Sequence, residues 1–199
     1  MHTLDVDTLQ RLHDQALLAP PAHWPDGPLW AAIARNHACN CQLWDEEDRA
    51  RRTDVGAAAI AASKRLIDQA NQQRNDAVEA IDEAILLAGL PVGAQARLHS
   101  ETAGAMIDRL SILALKVYHM CEQTARTDVD PGHVARCHDK LLRLKLQRSD
   151  LAGCLQRLLA ELAAGRAYFK VYRQFKMYND PTLNPYLSGQ RGGAVAGAP

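Results

Sequence analysis

The sequence predicts an all-α protein, built as an antiparallel bundle of about four long helices with a short N-terminal helix and a basic-aromatic C-terminal segment. Apolar residues recur at steps of three and four almost throughout the chain, and nowhere do they alternate for long as in a strand. Four periodic segments of roughly 25–35 residues are joined by short connections, as in helix bundles. The 199 residues are enough for one compact domain with a sizeable core.

Proline and glycine mark the limits of the first three predicted helices. A short helix over 5–18 ends at the alanine and two prolines of 19–21. The second helix covers 28–52 and begins with a proline, a residue that favours the first helical position. The third covers 54–88, and Gly89 then supplies the usual stop signal, followed by a proline two residues later.

Capping residues mark the starts of the other two long helices. Ser100 is expected to cap a fourth helix over 101–126, because a serine hydroxyl accepts a hydrogen bond from the first helical turn. Asp130 and the proline after it open a fifth helix over 131–164, which stops at Gly165.

The C-terminal part departs from the bundle pattern. The segment 166–178 carries four bases, no acid and half of the ten aromatic residues, and it is expected to be helical at first. Turn signals with asparagine and proline follow at 179–181 and 184–185. The small residues of 188–199 are expected to be disordered, which leaves 1–187 as a single domain.

Charge and hydrophobicity argue against several classes of protein. Lys and Arg total 23, as do Asp and Glu, so the net charge is zero, whereas a general nucleic-acid binder would usually be basic. No stretch approaches about 18 uninterrupted apolar residues, so membrane insertion is not expected. The polar, acidic N-terminus lacks the features of a signal peptide, which favours a cytoplasmic location.

The cysteines are expected to be reduced thiols that pack as small hydrophobic residues. They are odd in number and lie within predicted helices, whereas disulfide frameworks belong mainly to small secreted domains. The five are Cys39, Cys41, Cys121, Cys137 and Cys154.

Polar residues interrupt the apolar stripes of four helices. On the third helix, the stripe through Ile67 and Ile81 is broken by Asn71 and Arg74, and on the fifth a leucine stripe is broken by Arg148. Buried Arg and Asn are costly unless they are paired or solvated. Either ion pairs fix the register of the helices, or a ligand site lies between them. The number of amides favours a site, because amides orient ligands and add little to ion pairs.

The candidate site residues are the polar and aromatic side chains near these interruptions. Together they predict a polar cleft between the second, third and fourth helices, closed by the basic-aromatic segment. The ligand-binding candidates are Asn36, Asn40, Trp44, Asn71, Arg74, Asn75, Asp108, Arg109, Lys170, Arg173 and Lys176. The candidates for acid–base catalysis are Glu47, Asp48, Asp68 and His119.

No metal site is predicted, but one set of carboxylates leaves Mg²⁺ open as a cofactor. Acidic blocks on two helices are how all-α nucleoside-triphosphate pyrophosphatases hold this cation, and a pyrophosphohydrolase-like enzyme is therefore one alternative. The spacing of the first block does not match that pattern, and a solvated acidic face explains the residues equally simply. The weak metal candidates are Glu47, Asp48, Glu79 and Asp82.

The basic-aromatic segment is suited to an anion. Its bases Arg166, Lys170, Arg173 and Lys176 alternate with Tyr and Phe, and Arg both stacks on aromatic rings and binds phosphate or carboxylate with two donors. An anionic small molecule or an acidic protein surface fits this chemistry. The alternative is an amphipathic closing helix whose aromatic residues cover the bundle.

Long mixed strings of polar and apolar residues carry a resemblance to a known family. They cover 36–51, 64–76, 100–102, 107–113 and 170–181. The chain resembles a bacterial family of unknown function, domain-of-unknown-function family 4254, over about 35–185, although Ala103 stands where the family pattern has Pro. The resemblance implies no assigned activity. It implies a genomic neighbourhood beside heptosyltransferase-type glycosyltransferases, in regions that build surface carbohydrate.

Two functions follow from this combination, and the sequence leaves open whether the protein is an enzyme. In the first, the polar cleft binds a phosphorylated or nucleotide-linked sugar in the biosynthesis of surface polysaccharide, and whether it also acts on that sugar stays open. In the second, the protein is a non-catalytic partner of a glycosyltransferase and uses the same polar strip for docking. Long amphipathic helices commonly pair, so a homo-oligomer is a further expectation.

Overall fold

The computed structural model describes residues 4–19, 23–173 and 180–186. Within these ranges the protein has five helices and one pair of very short strands, which confirms the all-α fold class. The elements are α1 Val6–Leu18, α2 Pro28–Ala50, α3 Ala57–Leu86, β1 Arg97–Leu98, α4 Ala103–Thr124, α5 Pro131–Ala163 and β2 Ala167–Tyr168. The predictions for Lys176 and for the tail 188–199 lie outside the described residues.

The helix bounds agree with the predicted ones to within three residues. Asp130 caps α5 as predicted, but α4 is capped by Thr102, and the prediction of Ser100 was wrong. The reason is a tertiary contact. The His99 N–H donates to the Tyr168 carbonyl at 2.8 Å, and this hydrogen bond keeps the backbone extended as far as His99, next to Ser100. The chain therefore enters the helix two residues later than a local capping rule predicts.

The helices pack as two hairpins. Helix α2 packs along α3, α4 packs along α5, and α1 lies against α4 and α5. None of the helices in the described ranges is both long enough and apolar enough to cross a bilayer. The fully buried large side chains of the core are Leu9, Ile33, Ile81, Ile107, Leu110 and Leu155, and they come from all five helices.

The segment after α5 starts as a strand, so the prediction of a helix at the start of 166–178 was wrong. Gly165, at φ 68°, turns the chain out of α5. Strand β2 then runs parallel to β1, with Arg97 opposite Ala167 and Leu98 opposite Tyr168. The Arg97 N–H donates to the Arg166 carbonyl at 2.8 Å. Sequence periodicity missed the strand because β2 is stabilised by pairing with β1, and α4 and α5 lie between the two strands in the sequence.

Arg148, which interrupts the leucine stripe of α5, has a structural role. Its side chain is buried, forms an ion pair with Asp14 of α1 at 2.8 Å, and donates to the Gln10 carbonyl at 2.9 Å. The ion-pair interpretation is therefore correct for this residue, which fixes α1 against α5.

The five cysteines are all free, as predicted, but Cys154 is exposed, so the prediction that they pack as small hydrophobic residues was wrong for that residue. Burial raises the pKa of the Cys41 thiol to about 11, and it also raises the pKa of Cys39. Both thiols are therefore protonated near neutral pH and poor nucleophiles, because the thiolate is the reactive form.

Candidate functional site

A buried network of polar side chains joins α2 to α4. The Asp108 carboxylate accepts hydrogen bonds from the amides of Asn36, at 2.8 Å, and Asn40, at 2.9 Å. The Asn40 amide also donates to the Ser111 hydroxyl at 3.0 Å. Asn36 and Asn40 are one turn apart and reach the same partner because residues at i and i+4 share a helix face. Asn36 is fully buried, so its amide hydrogen-bonds to Asp108 in the protein interior and is not exposed to solvent.

Two stacked histidines extend this network towards α1. The His37 Nδ1 atom lies 2.7 Å from the Ser111 hydroxyl, and the His37 ring stacks on His13 with ring centroids 4.7 Å apart. Burial, with the nearby Arg148, lowers the pKa of His37 to about 4, and burial lowers the pKa of His13 well below its ordinary value. Both imidazoles are therefore neutral near pH 7.

A pocket of about 340 Å³ opens between α2, α3 and α4, beside this network. We call it the amide pocket. Its volume lies within the range of about 300–1,000 Å³ typical of small-molecule sites. It brings together Asn40, Trp44, Glu47, Asp48, Asn71 and Arg74, which were all predicted as site residues. The remaining lining residues are Leu43, Arg51, Ile112 and Leu115.

Arg74 is the cation of the amide pocket. Its Nε atom is buried without a hydrogen-bond partner, and the guanidinium forms no ion pair with any residue that the structure describes. Across the pocket, Glu47 is bound to Arg51 at 2.7 Å, whereas Asp48 is exposed and forms no ion pair within the described ranges. The pocket thus presents an unpaired cation and an unpaired carboxylate.

A second depression, of about 610 Å³, lies between α2, α4 and α5. We call it the basic groove. His119, a predicted catalytic residue, lies here: its ring stacks on Trp44 with centroids 4.5 Å apart, and its Nδ1 atom is 2.8 Å from a Glu122 carboxylate oxygen. The groove is lined by Trp44, Asp48, Lys116, His119, Met120, Gln123, Lys140, Arg143, Leu144 and Gln147.

The sequence analysis missed Lys140 and Arg143 as candidate site residues. Both are exposed on α5, a helix whose only predicted irregularity was Arg148. Their spacing of three residues, followed by Gln147 four residues later, was visible in the sequence. It was overlooked because charged residues at helical spacing ordinarily form a solvated face, and only the packing of α5 beside α4 turns this face into the wall of a groove.

Several predicted residues lie away from both pockets. Asp68 is exposed on α3 and pairs with Lys64 at 3.0 Å. Arg109 pairs with Glu101 at the β1 end of α4. Asn75 is half-buried on α3, next to Arg74 in sequence.

The described part of the basic-aromatic segment does not close the amide pocket. Lys170 is exposed, and Arg173 pairs with Glu83 at 2.9 Å. Glu83 is nine residues beyond Arg74 on α3, which is about 14 Å along the helix axis. Arg173 therefore contacts the far end of α3.

The four weak metal candidates fall into two separate places. Glu47 and Asp48 line the amide pocket, whereas Glu79 and Asp82 lie near the end of α3. No three His, Cys, Asp or Glu side chains in the described ranges are grouped so that they could hold a metal ion. The arrangement therefore gives no support to the magnesium-dependent alternative.

Asp82 instead supports the start of α4, beside its cap Thr102. Its buried carboxylate accepts a hydrogen bond from the Gly104 N–H at 2.6 Å. Burial raises its pKa to about 6, although hydrogen bonds from Thr102 and Gly104 act in the opposite direction. The carboxylate therefore joins the two helical hairpins.

A comparison with known protein families places the chain. The model of a family described as proteins of unknown function, DUF4254, matches residues 30–171, which is more than half of the chain. The chain belongs to the DUF4254 family. The DUF4254 match runs from the first turn of α2 to three residues beyond β2 and includes every residue that lines the amide pocket and the basic groove. No curated protein and no solved structure matches this DUF4254 protein.

Proposed function

We propose that this DUF4254 protein binds a phosphorylated or nucleotide-linked sugar in the amide pocket. The observation that carries the proposal is Arg74, a half-buried cation that faces a pocket without an ion-pair partner among the described residues. A partly buried cation without an ion-pair partner is unfavourable, and a bound anion relieves this cost. Arg is also the residue best suited to phosphate, because its planar donors bind two phosphate oxygens at once.

The neighbours of Arg74 suit the rest of such a ligand. Asn71 lies one turn before Arg74 and makes no side-chain hydrogen bond with other described residues, so its amide is available to a hydroxyl group. Asn40 is held in place by Asp108 and Ser111. A small set of fixed polar groups beside apolar walls is typical of small-molecule sites.

Asp48 is the best placed of the predicted catalytic residues. It lines the pocket and has no ion-pair partner within the described ranges, whereas Glu47 is bound to Arg51. A carboxylate within reach of a bound hydroxyl is suited to accept its proton. If the protein acts on its ligand, we assign the role of general base to Asp48.

Binding of a panel of sugar phosphates and nucleotide sugars tests the proposal, with thermal shift as the screen and calorimetry for any hit, with and without Mg²⁺. We expect Arg74→Gln to weaken binding about tenfold or more, because a charge-assisted hydrogen bond to phosphate is lost. Arg65→Gln, which removes an exposed cation from the same helix, is the matched control and should bind as the wild type does.

Two results would contradict the proposal. One is the absence of binding by every member of the panel, which would favour the docking function instead. The other is a folded Arg74→Gln variant that binds a hit as tightly as the Arg65→Gln control.

A further inference from the structure

We infer that the basic groove is a second binding site, for the diphosphate group of a nucleoside diphosphate or of a nucleotide-linked sugar. The inference rests on the proposed function only for the sugar part of the ligand. Binding of the diphosphate itself rests on the groove alone.

Two facing stripes of matched spacing build the groove. Helix α4 presents Lys116, His119 and Gln123, and α5 presents Lys140, Arg143 and Gln147. Each stripe has a step of three and then a step of four, which places its side chains on one helix face. The short connection at 125–130 makes the two helices antiparallel, so the stripes run past each other in opposite directions. Lys116 and Gln147 also line a neighbouring cavity together, which places these two ends side by side.

The cations of the groove lack internal partners. Lys116, Lys140 and Arg143 form no ion pair with any other described residue, although the whole chain has as many acids as bases. Two other cations on these helices do form ion pairs, Arg109 with Glu101 and Arg148 with Asp14. Like charges on neighbouring surfaces repel each other, and a bound polyanion removes that repulsion. Three cations from two helices match the several negative charges of a diphosphate better than those of a single carboxylate.

The groove and the amide pocket share a wall. Trp44 and Asp48 line both, and the His119 ring covers one face of Trp44. A ligand with a diphosphate in the groove can therefore reach across Trp44 into the amide pocket with its sugar. The Asp48 carboxylate lies at this boundary and can accept a hydrogen bond from a sugar hydroxyl group.

Calorimetry at low ionic strength, with inorganic pyrophosphate and UDP as probes, tests the inference on the full-length chain. The test variant is Lys140→Gln/Arg143→Gln. The control is Lys145→Gln/Arg157→Gln, which removes the same number of exposed charges from α5 at positions outside the groove. We expect the test variant to bind both probes at least about tenfold more weakly than the control does. Added salt should weaken wild-type binding, because exposed charges are screened.

The results separate this inference from the proposed function. Equal affinity of the test and control variants, or no binding of either probe by the wild type, overturns the second site. Pyrophosphate binding that depends on Lys140 and Arg143, combined with no binding of any sugar phosphate, supports the groove and contradicts the sugar site. All four residues are exposed, so both variants are expected to fold, and circular dichroism checks this.

Discussion

At the scale of single residues, His13 combines complete burial with two ring nitrogens that have no hydrogen-bond partner among the described residues. The ring contributes through contacts with its neighbours: it stacks on His37 and meets the edge of Trp24. A buried polar atom without a partner costs about 1–3 kcal/mol. The His13 ring therefore packs as a phenylalanine ring would, and its two unpartnered nitrogens lower the free energy of unfolding.

Burial of His13 also makes the free energy of unfolding depend on pH. Because burial lowers the pKa of His13, the unfolded chain binds the proton more readily than the folded chain does. The stabilising contribution is therefore complete above the ordinary pKa of 6.5 and is lost as the pH falls below it. Replacement by Phe keeps the stacking and removes the titrating group.

We expect His13→Phe to be at least as stable as the wild type at neutral pH, and to lose less stability between pH 6.5 and pH 4. Urea unfolding at a series of pH values measures this. Ser149→Ala, an exposed change on α5 that removes no titrating group, should leave the pH dependence as it is. An acid dependence in His13→Phe as steep as that of the wild type would contradict the expectation. His37 retains part of the slope, because its pKa is lowered to about 4.

At the scale of helices, the approach of α4 to α3 depends on Gly104. A Cβ atom at this position would lie 2.6 Å from the Val78 carbonyl oxygen and 2.8 Å from an Asp82 carboxylate oxygen. Neither neighbour gives way easily, because one is helix backbone and the other accepts the Gly104 N–H. Gly104 thus allows the two hairpins to meet.

Gly104→Ala is therefore expected to destabilise the fold by about 2–3 kcal/mol, because the extra methyl group forces the helices apart. Gly153→Ala is the matched control on α5, where the added Cβ meets only the end of the Arg157 side chain at 3.5 Å. There we expect a gain of up to about 1 kcal/mol from helix propensity. Chemical denaturation of both variants provides the comparison. The proposed contact would be refuted if the two alanines had the same effect.

At the scale of the whole molecule, the sequence predicted what depends on neighbours along the chain. Periodicity, with proline and glycine at the boundaries, located all five helices, and Asn71 and Arg74 at the polar breaks line a pocket between helices. Periodicity and boundary residues did not predict contacts between segments that are distant in the sequence. Arg148 was ambiguous until Asp14 of α1 was placed beside it, and Lys140 resembled an ordinary surface charge until α5 was packed along α4.

The joining of the two hairpins has a pH dependence of its own, through Asp82. Burial raises its pKa from 3.8 to about 6, so the folded chain binds the proton more readily than the unfolded chain does. The sign is therefore opposite to that of the histidines: the contribution of Asp82 is most favourable below about pH 4 and declines as the pH rises to about 6. In this range the slope from Asp82 therefore opposes the slope from the buried histidines.

Asp82→Asn separates these slopes, because asparagine keeps an oxygen that accepts the Gly104 N–H and cannot ionise. We expect the variant to gain stability relative to the wild type as the pH rises from about 4 to about 6, by about 1–3 kcal/mol in total, and the difference to be constant above that range. Gln69→Ala, an exposed change on the same helix that removes no titrating group, should show no such trend. Thermal unfolding of the three proteins across this range measures the differences. A constant difference between Asp82→Asn and the wild type at every pH would show that the Asp82 carboxylate titrates alike in the folded and unfolded chains, and that its link between the hairpins is independent of charge.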